Sequence, residues 1–216
     1  MAIEPSTSAV SPTGARPQAV RHFGRFQLLR LIGKSTRSML WLVDDPRVGQ
    51  ELLLAMPRAR PANEAAHEHW RQAARRATRI DHPSLAHVVE VGEHDHWPFI
   101  TYELALSTIL ADRLDSKGLP GKEVVPWMMD VLQGLAFAHE AGAAHHDIQP
   151  FAILLPPNGP ARLLGLGVAM DPAPHAGGSQ VSHRFASERD LVGVGLVLHH
   201  ALAGTPALDQ PDVSLV

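Results

Sequence analysis

Three apolar runs, separated only by short polar turns, dominate the stretch between Phe26 and Arg58. They read FQLLRLIGK, SMLWLVDD and ELLLAMPR, and their length and composition are typical of strands. A helical segment at 63–80 follows, with Asn63 available as N-cap, and residues 85–104 contain two more strands around a polar turn. This order predicts a compact α+β unit, in which a five-stranded antiparallel sheet carries one helix.

The pattern becomes helical after Leu106. Apolar residues at helical spacing predict helices at 107–114, 121–141 and 190–203. The segments FAILL and ARLLGLG predict a strand pair before the last helix, and 171–183 is predicted to be a loop. Because 190–203 is apolar nearly all round, we expect that helix to be buried on every side. We also expect the helical part to be incomplete, so that a longer chain or a partner completes it.

Composition excludes several classes of protein. The chain has no cysteine, which excludes a disulfide scaffold, a thiolate zinc site and thiol catalysis. A net charge of −3 without a basic block argues against nucleic acid as a partner. No apolar stretch is long enough to span a bilayer, and no secretory signal begins the sequence, so we expect a cytoplasmic protein. Residues 1–20, rich in Pro, Ser, Thr and Ala, are predicted to form a disordered N-terminal tail.

Three segments in the same order resemble the eukaryotic-like Ser/Thr protein kinases of bacteria. AFAHEAGAAHHDIQPFAILL is similar to the helix E, catalytic loop and following strand of that family. HPSLAHVVEVGEHDHWPFITYEL is similar to its "H-P-N-I-V" segment, two strands and hinge, and DLVGVGLVLHHALAGTPAL to its helix F, with Asp190 as the buried aspartate. The resemblance implies a protein-kinase-like two-lobe fold, with an N-lobe at 21–105 and a mainly helical, incomplete C-lobe at 106–216.

The same resemblance implies that most of the catalytic groups are replaced. It places Ala55 at the strand-three lysine, Ala73 or Gln72 at the helix-C glutamate, and Ala152 at the metal-binding asparagine. The D-F-G motif becomes Gly165-Leu166-Gly167, which lacks the principal magnesium ligand, and in H-R-D the arginine becomes His146. Of the acting groups only Asp147 remains. Because its partners are missing, we interpret Asp147 as a structural residue that caps nearby amides, with Asp190 binding the same turn.

The nucleotide-binding positions are weak as well. The candidates are Gly33 and Lys34 in the glycine-rich loop and the hinge backbone around Glu103 and Ala105, and this loop has Ser35 and Ser38 in place of its other glycines. Leu53 and Tyr102 are expected to crowd the adenine position. The sequence therefore predicts no cofactor, weak or absent ATP binding, and no magnesium site.

These residues lead to a functional hypothesis with two alternatives. The hypothesis is a pseudokinase, a catalytically inactive regulatory module of bacterial signalling that binds a protein partner or a downstream signalling domain, with a homodimer also possible. The alternatives are a metal-independent nucleotide sensor and an atypical active Ser/Thr kinase that uses Lys34. Histidine pairs raise the question of metal binding. His94 and His96 flank a hairpin turn and could chelate a metal ion, but solvated surface histidines are the favoured interpretation.

Overall fold

The computed structural model describes residues 21–170 and 179–207. Its first half is a mixed unit of one sheet and one helix, α1 (Glu64–Ala77). The six strands form an antiparallel sheet in the order β1-β2-β3-β4-β6-β5. Their bounds are β1 (Arg21–Phe23), β2 (Phe26–Lys34), β3 (Ser38–Asp45), β4 (Gln50–Pro57), β5 (Val88–His94) and β6 (Trp97–Glu103).

The sheet therefore has six strands, and the prediction of five was wrong by one. The additional strand, β1, pairs with the start of β2, so that Phe23 lies opposite Phe26. Gly24, at a φ of +56°, forms the tight turn between them. Three residues are too few to show an alternating pattern, which is why the sequence did not reveal this strand.

Strand β4 is buried on both faces, which places it at the centre of the molecule. Leu52, Leu54 and Met56 pack with the aromatic side chains of Phe26 and Phe99 on one face. On the other face, Leu53 and Ala55 join a larger core that includes Trp70 of α1 and side chains of the second lobe. Because successive strand residues point to opposite faces, this continuous apolar run contributes to two cores at once.

The second half is mainly helical and contains a small sheet. Its helices are α2 (Leu110–Arg113), α3 (Gly121–Glu140) and α4 (Ser179–Ala203), with a one-turn 3-10 helix at Pro150–Ala152. Three short strands pair in the order β7-β8-β9, and they are β7 (Thr108–Ile109), β8 (Ile153–Leu155) and β9 (Arg162–Leu163). The helix predicted at 107–114 is therefore reduced to α2, because Thr108 and Ile109 pair with β8 instead.

Helix α4 also departs from the sequence prediction. It begins at Ser179 rather than at 190, so the predicted loop is wrong for 179–183, while residues 171–178 lie outside the described part of the chain. The polar start of α4 shows no apolar periodicity from which a helix could have been predicted. The expected burial on every side is also wrong, because Leu191, Val192 and Leu202 are exposed.

Helices α3 and α4 lie antiparallel and hold the second lobe together. At one end, the Leu119 N–H donates to the Ala201 carbonyl, and at the other, His139 contacts Asp190. Gly134 lets α3 approach the Ser84 carbonyl closely, since a Cβ there would lie 2.8 Å from that oxygen. The inner faces of these helices belong to the same core as Leu53 and Ala55, so the two lobes share one apolar interior.

Candidate functional site

The positions that the kinase resemblance singled out meet in one place, between β4 and the segments that follow α3. Ala55, Asp147, Ala152 and Gly165 all line the same space, and the ring of Phe151 closes one side of it. The positions are therefore brought together as the kinase resemblance implies. Three of these four positions carry only a methyl group or no side chain, so they offer neither a charge nor a metal ligand.

The space left between these residues is very small. It holds about one water molecule. Cofactor sites in proteins usually measure roughly 300–1,000 Å³. Leu40, Leu164 and Val168, which are buried, add to the apolar lining. In this conformation the protein's own side chains therefore fill most of the space between Ala55, Asp147 and Gly165.

Asp147 is held by side chains from both lobes. Its Oδ2 accepts hydrogen bonds from the hydroxyl of Ser35 at 2.6 Å and from that of Ser38 at 2.5 Å. Its Oδ1 accepts one from Nε2 of Gln149 at 3.1 Å. The expectation that Asp147 caps backbone amides was wrong, because its observed donors are side-chain groups. Sequence reasoning missed the contact of both serines with Asp147, although a hydroxyl in place of each loop glycine was a visible signal.

Gly33 lies directly on the ring of Phe151. A Cβ at Gly33 would be 2.4 Å from the ring carbons, which is closer than any side-chain carbon can approach. The missing side chain therefore lets β2 lie against the second lobe. Lys34, the next residue, is exposed, and its side chain makes no hydrogen bond or ion pair with a described residue.

The hinge candidates lie outside the closed space. Glu103 and Ala105 are exposed, and neither lines the cleft. The turn that follows β6 closes with a hydrogen bond of 2.8 Å from the Ser107 N–H to the Leu104 carbonyl. Ala105 and Leu106 adopt left-handed φ angles of 43° and 58° in this turn, which is unusual for two consecutive residues other than glycine.

Leu53 and Tyr102, which are expected to crowd the adenine position, lie on neighbouring strands. They lie opposite each other in the pairing of β4 with β6, and both are almost fully buried. The Tyr102 hydroxyl accepts a hydrogen bond of 3.2 Å from the N–H of Gly165, and burial raises the pKa of Tyr102 above its usual value. This tyrosine therefore extends to the start of the D-F-G-like segment and fixes it to the first lobe.

Helix α1 is attached to the same segment without an ion pair. Nε1 of Trp70 donates to the Val168 carbonyl at 3.1 Å. Gly167, at a φ of +77°, lies so close to α1 that a Cβ would be 3.1 Å from the Ala73 carbonyl and from the Ala77 methyl group. Ala73 is one of the two positions, with Gln72, predicted for the helix-C glutamate, and at Ala73 the two segments are in close packing contact.

Asp190 supports the turn at the catalytic loop, as the sequence predicts. Its carboxylate accepts hydrogen bonds of 2.7 Å from the backbone N–H groups of His145 and His146, and it contacts Nε2 of His139 at 3.0 Å. Burial alone would raise the pKa of Asp190, but these contacts hold it below its usual value. His145 donates from Nε2 to the Leu164 carbonyl at 2.7 Å, and this bond fixes its ring under the turn.

Within residues 21–170 and 179–207, no group of three or more histidine and carboxylate side chains is placed to hold a metal ion. His94 and His96 flank the β5–β6 turn and contact different carboxylates, Asp95 and Glu93 respectively. None of the described helices is both long and apolar enough to cross a membrane.

The chain is similar to bacterial protein kinases in sequence. It is 28% identical over 148 residues to the serine/threonine-protein kinase PrkC of Bacillus subtilis, a match that covers 68% of this chain and 23% of that protein. It is 30% identical over 189 residues to the serine/threonine-protein kinase PknL of Mycobacterium bovis, covering 79% of this chain and 47% of that one. The chain thus spans about a quarter of the length of PrkC. No family model matches it.

The fold is also that of solved kinase domains. The kinase domain of Mycobacterium tuberculosis PknI superposes with a TM-score of 0.65 at 24% identity, and the match covers 90% of this chain and 78% of that one. This similarity confirms the prediction of a two-lobe α+β fold. The chain therefore has a protein-kinase-like fold, and its relatives in sequence are bacterial serine/threonine protein kinases.

Proposed function

We propose that this chain is a pseudokinase, a kinase-like module that regulates or binds other proteins and does not transfer phosphate. The observation that carries the proposal is the lining of the closed cleft. Ala55, Ala152 and Gly165 stand where a kinase needs a phosphate-pairing lysine and two magnesium ligands, and Asp147 is engaged by Ser35 and Ser38.

Phosphoryl transfer depends on placing charge around a polyanion, and little else accelerates it. Magnesium needs oxygen ligands from the protein besides those of the phosphates. Methyl groups and a glycine supply none, and about one water molecule fits between them. The residues present therefore do not fit ATP and magnesium in this conformation, and no catalytic step through them follows.

A regulatory role agrees with the context of the relatives. The matched segment covers only 23% of PrkC, so in that kinase it is part of a much longer protein. We propose the same arrangement here, with a protein partner or an attached signalling domain reading the state of the module in the cytoplasm. Asp190 and Trp70 preserve the kinase-like shape although the catalytic groups are replaced.

The decisive experiment is a phosphoryl-transfer assay on the full-length protein. It is incubated with radiolabelled ATP, with magnesium or manganese, and with or without a generic protein substrate. We expect no label in the protein or in the substrate, and an active relative assayed in parallel shows that the conditions support transfer. Incorporation that Asp147→Asn abolishes would overturn the proposal and favour the active-kinase alternative.

A melting experiment addresses the nucleotide-sensor alternative. A ligand present at 100 times its dissociation constant stabilises a protein by about 2.7 kcal/mol. For a domain of this size the melting temperature would rise by about 5 °C. We expect no such rise with millimolar ATP, with or without magnesium. A rise of that size would instead support nucleotide binding. It would also mean that the cleft opens to admit ATP.

A further inference from the structure

Two serines of the first lobe and one aspartate of the second form a contact across the cleft. Ser35 and Ser38 lie at the β2–β3 turn, and both hydroxyls donate to the same oxygen, Oδ2 of Asp147. Distances of 2.5–2.6 Å are typical of hydroxyl groups bound to an ionised carboxylate.

The turn itself is ordered around Ser35. The Ser35 hydroxyl accepts hydrogen bonds from the backbone N–H groups of Arg37 at 2.9 Å and of Ser38 at 3.0 Å. The Ser35 N–H donates in turn to the Ser38 carbonyl at 2.9 Å. The Ser35 hydroxyl is thus held in position by the turn, so little further ordering is needed for it to meet the carboxylate.

Asp147 depends on these donors. It is 7% exposed and makes no ion pair with a described residue, so Ser35, Ser38 and Gln149 provide its hydrogen bonds. A buried carboxylate that loses its donors is strongly destabilised. Loss of both serine hydroxyls would therefore favour a conformation in which water reaches Asp147, which requires the β2–β3 turn to move away.

An apolar contact next to the serines also holds the first lobe against the second. Gly33 lies on the ring of Phe151, so the strand before the turn packs on the second lobe. From these contacts we infer that Ser35, Ser38 and Asp147 form a latch between the lobes, which holds the cleft closed without any ligand and opens when the hydroxyls are lost. This inference rests on the proposed function, because a cleft held closed by Asp147 is not available for catalysis.

Hydrogen exchange on the full chain, followed by mass spectrometry without nucleotide, tests the latch. In Ser35→Ala/Ser38→Ala we expect the amides of residues 34–39 and 147–152 to exchange about tenfold faster than in the wild type. Those of β4 should not change. Thr36→Ala is the matched control, because Thr36 is exposed in the same turn and makes no hydrogen bond with a described residue. It should exchange like the wild type.

Two further variants keep the test decisive. If the double variant does not fold, Ser38→Ala alone should give a smaller acceleration in the same two segments, since one of the two donors remains and the Ser38 hydroxyl makes no other hydrogen bond with a described residue. Faster exchange at 147–152 is the decisive part, because the turn's own hydrogen bonds to the Ser35 hydroxyl do not reach that segment. Asp147→Asn keeps an acceptor but removes the charge, and it should give an intermediate effect. Unchanged exchange in the two segments, or equal acceleration in Thr36→Ala, would overturn the latch.

The latch and the proposed function can fail separately. Exchange is measured without ATP and reports only whether the turn leaves the second lobe, whereas label incorporation reports chemistry. Faster exchange together with phosphoryl transfer would contradict the pseudokinase and leave the latch in place. Unchanged exchange together with no phosphoryl transfer would contradict the latch and leave the pseudokinase proposal in place.

Discussion

Asp190 is a buried carboxylate that fixes the turn before the one-turn 3-10 helix of the second lobe. It is 2% exposed, and it joins α4 to the turn at His145 and His146 through two backbone hydrogen bonds. Because its pKa lies below the ordinary value, the ionised form is favoured in the folded state. The resulting stability is present at pH values above the unfolded pKa, about 3.9, and is lost as the pH falls through the folded pKa.

We predict that Asp190→Asn lowers the free energy of unfolding at pH 7 by about 3 kcal/mol, because the amide is a weaker acceptor and places its NH₂ group against N–H donors. Urea denaturation at pH 7, 5 and 3 measures the effect. The difference from the wild type should shrink at pH 3. Asp81→Asn, at an exposed position, is the control and should follow the wild type. A constant difference at all three pH values would show that the charge is not responsible.

At the scale of elements, α1 is held to the D-F-G-like segment by packing and one hydrogen bond. We predict that Trp70→Phe destabilises the protein by about 1 kcal/mol beyond the change in ring size, since the buried Val168 carbonyl loses its donor. Trp41→Phe is the matched control, because the Trp41 indole is half-buried and makes no hydrogen bond with a described residue. Equal losses in urea unfolding for both variants would contradict the role of this bond.

The elements that the sequence predicted well are those with a local pattern. Strands β2 and β3 have the predicted bounds because short apolar runs are bracketed by polar turns. Strand β1 and the first half of α4 escaped prediction because they have no such pattern. The contact of Ser38 with Asp147 joins positions 109 residues apart, and no local rule reports it. Sequence reasoning pointed to the positions that line the cleft, but it could not predict the hydrogen bond that joins Ser38 to Asp147 across it.

At the scale of the whole molecule, the shared core contrasts with one exposed helix face. Side chains of both lobes pack in a single apolar interior. On the outer side of α4, Leu191, Val192 and Leu202 are 53%, 42% and 42% exposed. Gly195 lies on the same face, and a Cβ there would touch nothing within 4 Å, so a second helix could approach closely. Apolar patches of a few hundred square ångströms on soluble proteins usually mark interfaces.

We therefore predict that the protein associates with a second copy through this face of α4. Light scattering should show dimers whose fraction rises with concentration. Val192→Ser/Leu202→Ser should remain folded and shift the population to monomer, because it removes apolar area from the interface without touching the inner face of α4. Leu29→Ser, at a 41% exposed position on the sheet, is the control and should dimerise like the wild type. A wild-type protein that stays monomeric at every concentration tested would contradict the prediction, because the exposed face of α4 would then not mediate self-association.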